Sequence, residues 1–119
     1  MNLSFEEVWK DLVEVLSGET VIYTLGRKCR NEIDKIDSDG IWVITEKSAP
    51  KSELVPKWMF EKALMYLGEH GEVTHDILTG KLRVMRSAFV MAALSKLKYM
   101  GHETRKGRVF LKIRNSLET

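Results

Sequence analysis

Several components are scarce or missing in this chain of 119 residues, and each absence narrows the class of protein. The single cysteine, Cys29, excludes an internal disulfide and is consistent with a reducing compartment. No apolar run approaches the roughly 20 residues of a membrane-spanning helix. Acids occupy the start of the chain, where a secretory signal would be basic. We therefore expect a cytoplasmic protein.

Amide side chains are also rare. Glutamine is absent and asparagine occurs three times, against twelve lysines and twelve glutamates. High Lys and Glu with few thermolabile amides is a balance found in hyperthermophile proteins. The composition therefore indicates a thermophilic source.

Signatures of enzymatic chemistry are missing too. The histidines, His70, His75 and His102, lack the spacing of metal ligands, and one cysteine cannot complete a familiar zinc site with them. The serines form neither a nucleophile elbow nor a phosphate loop. A metal-dependent nuclease stays the less favoured alternative, because Asp39 and Glu46 do not have its spacing. The sequence predicts a protein that is not an enzyme, with no metal and no cofactor.

Charge is distributed very unevenly along the chain. Residues 80–114 contain ten basic side chains against one acid, whereas residues 1–79 contain nine basic and fifteen acidic side chains. The net charge of residues 80–114 is +9 and that of residues 1–79 is −6, and Glu118 brings the whole chain to +2. A charge dipole of this kind is typical of a protein that binds nucleic acid.

The chain is predicted to begin with an amphipathic helix. Ser4 and Glu7 have the spacing of a capping box, and Leu3 and Val8 have that of a hydrophobic staple. Apolar residues then keep helical spacing until Gly18.

Three strands are predicted after this helix. Residues 20–25 are rich in β-branched and aromatic side chains. Residues 31–37 and 41–46 flank Ser38-Asp39-Gly40, where the Asp-Gly pair is expected to supply the positive φ angles of a tight hairpin. Residues 47–55, with a proline and two serines, are interpreted as a linker.

A second helical unit is predicted to start at Pro56, whose fixed φ suits the first turn of a helix. One apolar stripe of this helix is expected to face the core. Trp58 and Met65 lie on another face, which we expect to pack on the amino-terminal sheet because both would otherwise be exposed. The stripe consists of Phe60, Ala63, Leu64 and Leu67.

Two more helices and a hairpin complete the prediction. Thr74 is expected to cap a short helix through Leu78, and residues 84–97 predict a longer helix. Two short strands then flank Lys106-Gly107.

Residues 56–114 resemble a winged helix-turn-helix domain in the order and length of these elements and in the basic hairpin, or wing. The whole chain also weakly resembles small modules associated with restriction endonucleases and DNA-processing genes, through Thr24-Leu25-Gly26-Arg27, Gly40-Ile41-Trp42-Val43 and the run from Arg86 to Val90. The predicted fold class is α+β, with an α-β-β-β unit in residues 1–54 packed on a winged helix in residues 55–119. The resemblance implies a function that involves DNA, but it does not imply a particular reaction.

We expect a non-catalytic protein that binds double-stranded DNA, as a transcriptional regulator or as the targeting subunit of a DNA-processing system. In a winged helix the start of the third helix approaches the major groove and the wing lies along the backbone. Arg83 and Arg86 are expected in the first turn of that helix. A second basic patch, Arg27-Lys28-Cys29-Arg30, is predicted in the turn between two strands, either as an ordinary surface turn or as an extension of the phosphate-binding surface. The predicted nucleic-acid-binding residues are Arg83, Arg86, Ser87, Arg105, Lys106, Arg108, Arg27, Lys28 and Arg30.

The alternative is a winged-helix module for protein–protein interaction or dimerisation. On a helical wheel, one face of the helix in residues 84–97 is small and neutral and is expected to point away from the core. Such a face suits a homodimer or a partner protein better than a DNA groove. The predicted interface residues are Ala88, Met91, Ala92 and Ser95, with Ser87 beside them.

Overall fold

The computed structural model describes residues 4–114, and these form a mixed α+β protein with antiparallel sheets. The helices are α1 (Phe5–Leu16), α2 (Lys57–His70) and α3 (Ser87–Leu94), with a π-helical segment at Ile77–Lys81. The strands are β1 (Val21–Tyr23), β2 (Arg30–Asp37), β3 (Gly40–Thr45), β4 (Glu53–Pro56), β5 (Glu72–Thr74), β6 (Met100–Arg105) and β7 (Arg108–Ile113). In the described part of the chain no helix is long and apolar enough to cross a membrane.

Helix α1 begins where the capping box predicts. The side-chain oxygen of Ser4 accepts the backbone N–H of Glu7 at 3.2 Å, which satisfies one of the free donors at the helix start. Leu12 and Leu16 are buried on the face that meets the core. Leu3, one half of the predicted staple, lies outside the described residues.

The first sheet has four antiparallel strands in the order β1-β2-β3-β4, rather than the three that were predicted. The fourth strand, β4, lies inside the predicted linker of residues 47–55. Val55 is fully buried and pairs with Ile41 of β3, so a segment with linker-like composition is held in the sheet by one apolar side chain and the backbone ladder. The expectation of a linker throughout residues 47–55 is therefore wrong.

The β2–β3 hairpin forms as predicted, but Gly40 is not one of its two turn residues. Asp37 pairs with Gly40, so the turn residues are Ser38 and Asp39, and neither has a positive φ. The carboxylate of Asp37 accepts the backbone N–H of Asp39 at 2.9 Å, and this bond lowers the pKa of Asp37. Gly40 has a φ of +149°, and a Cβ there would lie 2.2 Å from the carbonyl oxygen of Val55. Glycine is required because β4 approaches closely.

Helix α2 follows β4 directly, with Pro56 as its N-cap and Gly71, at a φ of +83°, ending it in the left-handed conformation. The predicted stripe of this helix is buried. Trp58 and Met65 are 44% and 61% exposed, which contradicts their predicted packing on the amino-terminal sheet. Both lie on the side of the helix opposite the buried stripe.

The second sheet has the order β5-β7-β6, and all its pairs are antiparallel. The hairpin of β6 and β7 turns at Lys106 and Gly107, both with positive φ, as a two-residue turn of this kind requires. Strand β5 was not predicted, since three residues give too short a pattern. The predicted cap at Thr74 is present, because its hydroxyl oxygen accepts the backbone N–H of Ile77 at 3.3 Å.

Helix α3 is shorter at both ends than the predicted helix of residues 84–97. Arg83 is left-handed, at a φ of +59°, and the φ and ψ of Arg86 are −106° and 38°, so the helix begins only at Ser87. After Leu94 the N–H groups of Lys96 and Leu97 bond to carbonyls three residues earlier, which ends the α-helical pattern.

One hydrophobic core spans the predicted boundary between residues 54 and 55. Trp9 of α1 contacts Phe60 of α2 with ring centroids 5.6 Å apart, and Phe60 contacts Phe89 of α3 at 6.4 Å. Buried apolar residues of both sheets join these rings. The hydroxyl of Tyr99 donates to the carboxylate of Asp11 in α1 at 2.9 Å, and so also links the two halves.

We predict that Gly40→Ala destabilises the protein by about 2 kcal/mol or more, because the new Cβ meets a backbone carbonyl that cannot move without breaking the β3–β4 ladder. Gly68→Ala in α2 is the control, since nothing lies within 4 Å of its Cβ position and alanine favours a helix. Chemical denaturation measures both changes. Equal stability of the two variants would contradict the close approach at Gly40.

We predict that Tyr99→Phe lowers the free energy of unfolding by about 1.5–3 kcal/mol, because the carboxylate of Asp11 loses its donor. Burial and the bond to Asp11 raise the pKa of Tyr99 above its usual 10.0, so its stabilisation is complete below that pH and declines as the pH rises further. The difference in the free energy of unfolding between parent and variant should therefore become smaller when denaturation is measured at alkaline pH. Tyr23→Phe is the control, because Tyr23 is 55% exposed, and its free energy of unfolding should equal that of the parent.

Candidate nucleic-acid interface

A cleft with a volume of about 830 Å³ lies between the β1–β2 loop, the start of α3 and the tip of the β6–β7 hairpin. Residues 45–47, at the end of β3 and directly after it, complete one wall. Six cations and two acids line the cleft, so its net charge is +4 with histidine neutral. The cations are Arg27, Arg30, Lys47, Arg86, Lys106 and Arg108, and the acids are Glu46 and Asp76.

The β1–β2 loop is held rigidly by Thr24. The backbone N–H of Thr24 donates to the carbonyl of Cys29 at 3.0 Å, and the N–H of Cys29 donates to the Thr24 hydroxyl at 2.8 Å. Lys28 closes the loop in the left-handed conformation, at a φ of +57°. Because Thr24 is buried beneath, Arg27 is displayed at an exposed turn whose backbone is fixed.

The β6–β7 hairpin reaches across to this loop. A Cβ placed on Gly26 would lie 3.7 Å from Cγ2 of Val109, which is an ordinary contact distance. Lys106 stands at the hairpin tip and makes no ion pair with a described residue. Arg108 lies 3.6 Å from the carboxylate of Asp76. The hairpin tip therefore adds cations to the rim opposite the β1–β2 loop.

Arg105 is occupied elsewhere on the hairpin. Its guanidinium donates to Glu72 at 3.0 Å and also to Glu103, and these bonds raise the pKa of Arg105. The bonds from Arg105 and Lys112 lower the pKa of Glu103. Arg105 does not line the cleft. Its predicted contact with nucleic acid requires it to exchange two carboxylate partners for phosphate.

At the start of α3, Arg86 and Ser87 both line the cleft and both have partners. Arg86 forms an ion pair with Glu53 of β4, and the Ser87 hydroxyl is hydrogen-bonded to Nδ1 of His75. Ser87 is only 1% exposed. The prediction that Arg83 and Arg86 occupy the first helical turn is wrong, since α3 begins after both of them.

The neutral face of α3 does not point away from the core. Met91 and Ala92 are 3% and 1% exposed, because α1 and β1 of the amino-terminal half pack against this helix. Ser95 is half-buried, and its hydroxyl donates to the carbonyl of Ala92 at 2.6 Å. Only Ala88 is exposed. The predicted interface of Ala88, Met91, Ala92 and Ser95 is therefore wrong as a surface, although its small side chains do allow close packing within the chain.

The cleft unites most of the predicted binding residues and adds others. Arg27, Arg30, Arg86, Ser87, Lys106 and Arg108 line it, whereas Lys28, Arg83 and Arg105 do not. Sequence reasoning missed Lys47, His75 and Met85. No local signal identifies them: Lys47 stands in a segment taken as a linker, and His75 pairs with a serine twelve residues away.

Comparison with protein-family models, curated proteins and solved structures gave no match for this chain. Within residues 4–114, no three side chains of His, Cys, Asp or Glu are grouped so that they could hold a metal ion. The arrangement of cations around the cleft is therefore the main guide to its chemistry. That arrangement suits an anionic ligand.

We predict that Ala92→Glu lowers the free energy of unfolding by several kcal/mol, because an unpaired carboxylate would be buried between α3 and the amino-terminal half. Ala88→Glu introduces the same group on the same helix at an exposed position, so its stability should stay close to that of the parent. Thermal unfolding compares the three proteins. A stable Ala92→Glu variant would contradict the burial of this face.

Proposed function

We propose that this chain is a non-catalytic DNA-binding protein whose residues 56–114 form a winged helix. The order α2, β5, the helical turn at Ile77–Lys81, α3, β6 and β7 supports the proposal, because a winged helix has this succession of elements. In this interpretation α3 is the third helix and the β6–β7 hairpin is the wing. A cytoplasmic location and the absence of a cofactor remain part of the proposal.

The observation that carries the proposal is the meeting of two basic loops at one cleft. Arg27 and Arg30 come from the amino-terminal half, and Lys106 and Arg108 come from the wing. These positions lie far apart in the sequence, so their convergence creates a positive surface that neither half has alone. Cations that line a concave surface concentrate the electrostatic field and attract polyanions such as DNA.

The contacts that we propose anchor the DNA backbone and do not read base sequence through α3. The face of α3 that would enter the major groove is covered by α1 and β1, so α3 offers only Ala88 as an exposed side chain. Contacts to phosphates set the position of a protein on DNA but carry no sequence information. This favours the targeting subunit of a DNA-processing system over a sequence-specific regulator.

A protein-interaction module remains the second candidate, supported by a different surface from the one expected. Trp58 and Met65 are exposed on the same side of α2, seven residues apart. Lys62 lies between them and covers part of the Trp58 ring, with its ammonium 5.2 Å from the ring centroid. If the partner docks here, Trp58→Ser should abolish the interaction and leave DNA affinity unchanged.

We predict that binding to a short blunt DNA duplex weakens linearly on a logarithmic plot of affinity against salt concentration. The double variant Arg30→Ala with Lys106→Ala removes one cation from each rim. Its slope should fall by about 1.8, since each phosphate contact contributes about 0.9. Fluorescence anisotropy across a salt series measures both slopes.

The matched control is Lys10→Ala with Lys98→Ala, which removes the same charge from exposed positions outside the cleft. Its slope should stay near that of the parent. An equal fall in both double variants would show that net charge alone drives binding. An unchanged slope in the Arg30 and Lys106 variant would overturn the proposed site.

A further inference from the structure

The lining of the cleft includes apolar side chains as well as cations. Leu25, Val109 and Met85 line it together with the cations. Met85 is 72% exposed, more than any other exposed large apolar residue in the described part of the chain. Methionine adapts its shape readily and contacts aromatic rings favourably through its sulfur. The cleft thus combines an adaptable apolar wall with cations.

The size of the cleft limits what can enter it. A volume of about 830 Å³ lies within the range of roughly 300–1,000 Å³ that holds a small organic ligand. A base-paired duplex can lie across the rims, but its bases stay stacked inside the helix and cannot reach the apolar wall. A ligand that contacts the apolar wall must therefore do so through a single compact group.

His75 and Ser87 provide a fixed polar position in the same cleft. The hydroxyl of Ser87 and Nδ1 of His75 are hydrogen-bonded, and Ser87 is 1% exposed, so the imidazole ring is tethered to a buried side chain. Within the described residues, the hydrogen bond of the His75 ring is made through Nδ1, which leaves Nε2 without a protein partner. A tethered ring with an unused nitrogen suits hydrogen bonding to the polar edge of a ligand.

We propose that the cleft binds one unpaired nucleotide of a DNA strand. This inference rests on the proposed function and names the DNA feature that the site prefers. The cations Arg30 and Lys106 hold the phosphate, Met85 packs against the face of the base, and His75 bonds to its edge. A bare phosphate would leave the apolar wall unused, and an apolar ligand would leave the cations unused. A nucleotide satisfies both, because it joins a flat apolar face to an anion.

The test compares three probes: a short blunt duplex, the same duplex with a bulge of unpaired thymidines, and free thymidine monophosphate. The parent should bind the bulged duplex about tenfold more tightly than the blunt one, which is the upper end of what a methionine contributes by packing on an aromatic ring. Thymidine monophosphate in excess should remove this preference, and it should also weaken binding of the blunt duplex in part, because both ligands place phosphate at Arg30 and Lys106. Met85→Ala should lower affinity for the bulged duplex by more than affinity for the blunt one, so that the preference between the two duplexes is lost.

Met65→Ala is the matched control, because this methionine is 61% exposed on α2 and does not line the cleft. It should keep the preference for the bulge. Equal, salt-dependent affinity for both duplexes would overturn this inference and leave the proposed function standing. Binding of neither duplex would overturn the proposed function itself. Thymidine monophosphate binding without DNA binding would identify the occupant as a free nucleotide and overturn both.

Discussion

The burial of α3 between the two halves of the chain is the constraint on which the other features depend. Phe89 of α3 continues the aromatic series that runs from Trp9 through Phe60, so the same helix belongs to the cores of both halves. Burial on nearly every side explains why its residues are small or apolar throughout. It also fixes the amino-terminal sheet against the carboxy-terminal half. The cleft exists because this packing places the β1–β2 loop opposite the β6–β7 hairpin.

The separation of positive and negative charge along the sequence is partly cancelled in the folded protein. Several cations of residues 80–114 are compensated by acids from earlier in the chain, as in the pairs of Arg86 with Glu53 and of Arg108 with Asp76. Arg105 is bonded to two carboxylates. Arg27 and Arg30 of the first half meet Lys106 of the second at the cleft, and none of the three forms an ion pair with a described residue. Counting charges along the sequence therefore indicated that a basic surface exists, but it did not show where on the molecule that surface lies.

Features that depend on neighbouring residues were predictable from the sequence, and features that depend on distant packing were not. The cap at Ser4, the hairpin at Lys106 and Gly107 and the buried stripe of α2 follow from local chemistry, and the structure confirms them. The exposure of Trp58, the burial of Met91 and the strand β4 depend on which surfaces meet, which one sequence does not reveal. The basic loop at Arg27 was recognised, but its position opposite the hairpin was not predictable. Lys47, His75 and Met85 join the site only through this assembly.

The rim cations have one further property in common. Arg27, Arg30 and Lys106 are exposed, and they stand on a turn, a strand end and a hairpin tip, outside the shared core. Substitutions at such positions usually change stability little, whereas changes in α3 disturb both halves at once. Selection can therefore alter the rims almost independently of the scaffold. The cations at the rims are therefore tied to the fold only weakly, whereas the composition of α3 is constrained by the packing of both halves.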